Sequence, residues 1–231
     1  RESLHETSLT ESAAQLMALA KRGVAWAQHN AGKGMFDGRN GFKKQEKAGL
    51  KWINKAAAQQ CPSALYDLSD FYRDGLQSAI GKSQEKANEL LLKAANLGHG
   101  VSNSTLAKFY FDGMNGFDKD PAEGFFRASF AFALDGSASN ALFVGMYHHR
   151  ELIPEPSPYL ACYYLNIVTA NENVGGVACY FYTQALLELA GSLYNGRFQT
   201  PGSNVVPAMF FWLRKSCDLG DSDALEQLKK W

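Results

Sequence analysis

The chain predicts an all-α solenoid of about five antiparallel helix-hairpin repeats. Leu68, Leu106 and Val144 recur at a constant interval of 38 (106 − 68, and again 144 − 106), each at the same point in an Ala/Leu/Tyr-rich pattern. The segment Ala94-Ala95-Asn96-Leu97-Gly98 returns one interval later as Phe132-Ala133-Leu134-Asp135-Gly136. A fixed period in this range marks one supersecondary unit stacked on copies of itself. It also shifts the expectation for function from catalysis toward binding.

Each element follows from apolar spacing and its end signals. Before the array, Leu9 to Arg22 has the pattern of an amphipathic helix. Residues 1–24 are therefore assigned to an N-terminal capping helix, 25–220 to the repeat array and 221–231 to the start of a C-terminal helix or cap. In the first repeat, Trp26 to Phe36 and Lys47 to Gln60 form two helices separated at Asp37-Gly38, and Gly32 lets helices pack closely. In the second, Leu65, Leu68, Phe71 and Tyr72 share one buried face, and Gly75 closes the helix. Ser83 caps the partner helix, which buries Ala87, Leu90, Leu91, Ala94 and Ala95 before stopping at Gly98.

The third repeat has the clearest punctuation. Leu106, Phe109 and Tyr110 mark its first helix and Asp112-Gly113 its end. Asp120-Pro121-Ala122-Glu123 supplies an N-cap, a first-turn proline and a capping acid. The fourth repeat keeps register through Val144-Gly145-Met146-Tyr147, but His148-His149-Arg150-Glu151 replaces the usual aromatic-polar-Asp-Gly ending. A proline-rich turn, Pro154 to Pro158, separates its helices. The interval from Val144 to Leu189 exceeds the period by seven. The excess lies near Asn171 to Gly176 or extends the next helix backward through Cys179-Tyr180-Phe181. The fifth repeat recovers at Leu189 to Gly196 and at Pro207 through Trp212 to Gly220.

Composition narrows the function. The 231 residues are 46% hydrophobic and 20% charged, which supports a packed core. Lysine plus arginine and aspartate plus glutamate number 23 each, so no basic field exists to drive binding to nucleic acid or anionic lipid. No apolar run reaches the ~18–20 residues of a membrane-spanning helix. The opening Arg1-Glu2-Ser3-Leu4-His5 has neither an initiator Met nor a signal-peptide core, so the chain reads as trimmed or processed. Cys61, Cys162, Cys179 and Cys217 form no Cys-x-x-Cys pair and read as scattered thiols, which favours a cytoplasmic compartment. A removed signal segment would instead make the protein periplasmic or secreted.

Several residues fit a recurring pattern. Leu68, Tyr72 and Gly75 are followed by Ala87, Ala94, Ala95 and Gly98, and Leu106, Tyr110 and Gly113 repeat the first part. Trp52, Ala56 and Ala57 fit in the first repeat, Gly145 in the fourth, and Gly196, Trp212 and Gly220 in the fifth. On these residues the chain resembles the Sel1-like repeat family, relatives of the tetratricopeptide repeat, over roughly residues 25–225. Met35 and His148 depart from the family's tyrosine, Gln60 from its final glycine, and no loop glycine follows Arg150. The resemblance implies a right-handed superhelix that acts as an adaptor, with first helices lining a concave groove.

By register, that groove would be lined by His29, Lys33, Phe36 and Asp37, then Tyr66, Asp70, Arg73 and Asp74. Ser104, Lys108, Phe111 and Asp112 follow, then Met146, His149 and Arg150, and finally Leu187, Tyr194 and Asn195. Aromatic and arginine side chains there suit anchoring of a protein or peptide. The aromatics have a second reading as core volume, and the Asp before each loop glycine reads as a turn residue.

The expected function is thus a protein-interaction scaffold, with no catalytic, cofactor or metal residue assigned. An alternative is a carbohydrate-binding or cell-envelope assembly module that stacks sugars on Phe36 and Tyr66. A hydrolase-like enzyme at His148 and His149 is a third reading. Adjacent histidines diverge by about 100° on a helix, however, and suit one metal poorly. Gly32-Lys33-Gly34 and Gly175-Gly176 lack the strand–turn–helix setting of a phosphate loop.

Overall fold

A computed structural model describes residues 2–76, 80–170, 175–192 and 206–230. Among these the chain forms twelve helices and no strand beyond an isolated bridge between Leu76 and Ile80. It divides into two compact units, residues 1–102 and 103–231, with the division inside one helix.

The first unit holds α1 (Glu2–Lys21), α2 (Ala25–Asp37), α3 (Glu46–Ala58), α4 (Pro62–Asp74) and α5 (Gln84–Asn96), and ends in the first turn of α6 (Gly100–Asp112). Its α2/α3 hairpin closes tightly because small residues meet, and α4/α5 forms the second hairpin. A side chain on Gly49 would approach the Gly32 carbonyl oxygen to 2.5 Å and the Phe36 backbone nitrogen to 2.6 Å. One on Gly32 would approach the Gly49 carbonyl oxygen to 2.8 Å. Only hydrogen fits at either place, so the helix-packing role expected for Gly32 holds, with Gly49 as its counterpart. Around this crossing, Ala20, Ala27 and Ala31 pack under Phe42 and Trp52, and Ile53, Ala56, Ala64 and Leu68 pack under Phe36 and Phe71.

The second unit carries the rest of α6, then α7 (Pro121–Asp135), α8 (Ala138–His149), α9 (Pro158–Thr169), α10 (Gly176–Ser192), α11 (Val206–Asp218) and α12 (Ser222–Leu228). Aromatic volume fills it. Phe111, Val144, Met146 and Tyr147 are buried with Phe125, Phe132 and Phe143 against them. The Tyr147 hydroxyl donates to the Ala107 carbonyl at 3.2 Å, which satisfies its polar end. Helix α10 is 17 residues long and starts at Gly176, so the excess over the period does extend that helix backward through Cys179-Tyr180-Phe181.

The caps follow the residues that specify them. Ser83 accepts from the backbone N–H of Lys86, Asp120 from that of Glu123 and Ser157 from that of Leu160. Pro121 and Pro158 occupy first turns. The two departures at glycine positions are resolved by the backbone. Gln60, one period before Gly98, takes the left-handed conformation itself with φ +59°, and Glu151, one period after Gly113, does so with φ +51°. In both cases the next residue donates across the helix end, Cys61 to the Ala56 carbonyl and Leu152 to the Tyr147 carbonyl, as His99 donates to Ala94 beyond Gly98.

Candidate functional site

The repeat period brings equivalent side chains of successive first helices into contact. His29 on α2 donates from Nε2 to Oδ2 of Asp67 on α4 at 2.8 Å, across one period. Lys33, one turn further along α2, lies 3.7 Å from Asp67 and 3.9 Å from Asp37, with its ammonium over the Phe36 and Phe71 rings. On α4, Arg73 donates to Asp70 at 2.6 Å and lies 3.5 Å from Asp74. Burial pushes the Asp70 carboxyl up, against the pull of Arg73. The Tyr66 ring rests 5.2 Å from that of His99. Six expected residues of the first unit, His29, Lys33, Phe36, Tyr66, Asp70 and Arg73, therefore form one half-buried, internally paired surface.

His99 has a second task. It precedes α6, and its Nδ1 accepts from the backbone N–H of Ser102 at 3.3 Å, with the Ser102 hydroxyl 2.8 Å away. An imidazole thus takes the N-cap position that serine holds at α8. Accepting at Nδ1 requires the neutral ring, and burial holds the His99 pKa below its usual value, with Asp67 opposing and His29 adding to the shift.

The second unit divides its expected residues differently. Phe111 is 5% exposed and Met146 9%, so both belong to the core, and their expected role as groove surface is corrected. Helical register alone does not separate inner from outer faces where two neighbouring helices cover one. Lys108 and Arg150 are exposed, and His149 is half-buried. Tyr194 and Asn195 lie outside the described residues. The Arg150 guanidinium stands over the Phe111 ring at 5.4 Å and the Phe181 ring at 5.1 Å. His149 Nδ1 lies 3.0 Å from a Glu188 carboxylate oxygen, at ion-pair distance but without hydrogen-bond alignment.

The two adjacent histidines have separate surroundings. His148 is buried between Phe125 and Tyr164, and its Nδ1 has no hydrogen-bond partner among the described residues. Burial lowers its pKa. His149 instead faces Phe181 and Glu188. The pair does not converge on one point, and among the described residues no three His, Cys, Asp or Glu side chains are grouped to hold a metal ion. The four cysteines are free thiols, and burial pushes Cys162 up to about 12, which makes that thiol unreactive. No described helix is long and apolar enough to cross a membrane.

The pattern of the first helices missed Asp67, His99, Phe181 and Glu188. Asp67 carried a usable signal, since it stands one full period after His29. Phe181 and Glu188 sit on the lengthened α10, where the register had been lost.

Comparison with known proteins matches the Sel1 repeat family at residues 27–61, 62–99 and 210–221. A stretch of 100 residues is 32% identical to the chitin synthase regulator SKT5 of Saccharomyces cerevisiae, covering 41% of this chain and 14% of the yeast protein. The chain thus spans a small part of that relative's length. Among solved structures, a Sel1 repeat protein of Oxalobacter formigenes superposes with a TM-score of 0.62 at 23% identity, over 91% of this chain and 79% of its own. A protective antigen of uropathogenic Escherichia coli with an SLR fold gives 0.69 at 20% identity, over 93% of this chain and 43% of its own. These likenesses establish the fold, an α-solenoid of helix hairpins.

Proposed function

From a chain that carries Sel1 repeats, we propose a protein-interaction scaffold that receives a partner protein or peptide on the faces of its first helices. The observation that carries this reading is the contact between equivalent positions of consecutive first helices, above all His29 with Asp67. Such contacts fix side chains before any partner arrives, which lowers the entropy lost on binding. The surface joins charged pairs to aromatic rings at Phe36, Tyr66 and Phe71, a composition suited to peptide recognition. The chemistry is recognition, because the histidines sit apart and the buried thiol is held protonated.

The second helices offer a contrasting control. Lys51 on α3 and Lys93 on α5 are exposed, away from the paired surface. A photo-crosslinking amino acid placed at Lys33 or Lys108 should capture a partner in cells of the source organism. The same label at Lys51 or Lys93 should capture little. Equal capture at all four positions would contradict the assignment of the binding face.

A further inference from the structure

The first-helix surface of the first unit neutralises its own charges, whereas that of the second unit does not. Lys33 and Arg73 are both engaged by aspartates of their own unit. Arg150 and Lys108 make no ion pair among the described residues. The acids beside Arg150 in the sequence and across the helix pair are no exception, since Glu188 engages His149 and Glu151 makes no ion pair among the described residues. Repeat register sharpens the difference. Arg150 stands one period after Asp112 and two after Asp74, so the fourth repeat places a cation where the preceding two place an acid.

The guanidinium is also held in place. The Arg150 backbone N–H closes the end of α8 on the Met146 carbonyl, its guanidinium lies over both Phe111 and Phe181, and Phe111 is itself locked in the core. A cation over aromatic rings keeps its in-plane N–H donors available, and arginine presents them as a fork that matches a carboxylate. Lys108, one turn before Phe111 on α6, adds a second cation without an ion pair among the described residues.

We infer that Arg150, supported by Lys108, is the point at which this scaffold takes the side-chain carboxylates of an acidic segment in a partner protein. The inference rests on the scaffold reading above and adds the chemistry of the partner. A carboxylate meeting Arg150 supplies the counter-charge that this side chain does not find among the described residues, at a donor whose orientation is already set.

Selection of random twelve-residue peptides on the full chain tests it. Peptides recovered on the wild type should be enriched in Asp and Glu over the starting library. Arg150→Gln should abolish that enrichment and weaken an acidic peptide from the selection about tenfold or more by calorimetry, as expected when a charged hydrogen-bonding partner is lost. Arg150→Lys, which keeps the charge and loses the fork, should fall between the two and serves if the glutamine variant does not fold. Recovery of peptides without acidic enrichment overturns this inference and leaves the scaffold reading standing. Equal affinity of wild type and both variants for the acidic peptide overturns it as well. Recovery of no peptide at all overturns both.

Discussion

In the first unit Gly32 and Gly49 let α2 and α3 meet backbone to backbone, while in the second Gly124 and Gly145 face side chains. A side chain on Gly124 would strike the buried Tyr147 ring, and one on Gly145 would meet Leu165 at 2.8 Å. The first unit closes its α2/α3 hairpin by omitting side chains and pairs Lys33 and Arg73 with aspartates. The second fills its hairpins with rings and leaves Arg150 and Lys108 without an ion pair among the described residues. One repeat length thus accommodates two packing solutions. The ring-rich one supplies the platform on which a lone guanidinium can be oriented.

The largest expected effect lies in the second unit. Phe111→Ala should lower stability by about 4 kcal/mol in urea unfolding, as for a large aromatic removed from a core. An unchanged midpoint would return Phe111 to the partner surface. In the first unit Gly49→Ala should cost about 2–3 kcal/mol, because backbone on both sides must give way. If that variant is as stable as wild type, the close crossing of α2 and α3 is not a constraint.

Smaller effects compare the two departures from glycine. Gln60→Gly in the first unit and Glu151→Gly in the second should each raise stability by about 0.5–1 kcal/mol, since both residues hold a left-handed backbone. Thermal melts of the two variants would check this. A loss at either site would show that its side chain matters more than its backbone.

The smallest effect is a dependence on pH that both units share. Burial holds His99 and His148 below the ordinary imidazole value of 6.5, so the unfolded chain binds protons that the folded chain refuses. Their stabilising contribution is full above that value and is lost as pH falls below it toward the folded values. His99 faces Asp67, His29 and the Tyr66 ring, whose effects modulate the shift without reversing it. Urea midpoints should therefore fall between pH 7.5 and 5.5. His99→Asn, which can still cap α6, should flatten part of that slope. An identical slope in the variant would remove His99 from the account.

Much of the fold was legible because its signals are local. Ser83, Asp120 and Ser157 announce helix starts by their own chemistry, and glycines at a fixed interval announce the ends. Gln60 and Glu151 were visible as departures, yet only the backbone shows that they adopt the conformation of the glycine they replace. The site was legible in part for a different reason. Register identifies the outward positions of a first helix, as at Lys33 and Arg73, but burial by the next hairpin depends on side chains far away in the sequence. That is why Phe111 and Met146 proved to be core, and why Glu188 was found only once α10 had been placed.

Hydrogen–deuterium exchange on the full chain, with and without a saturating peptide from the selection, tests the central claim most directly. Slowed exchange on α2, α4, α6 and α8, strongest around Arg150 at the end of α8, is the predicted result. Slowing confined to α3, α5, α7 and α9 would place the partner on the opposite helices and contradict the account.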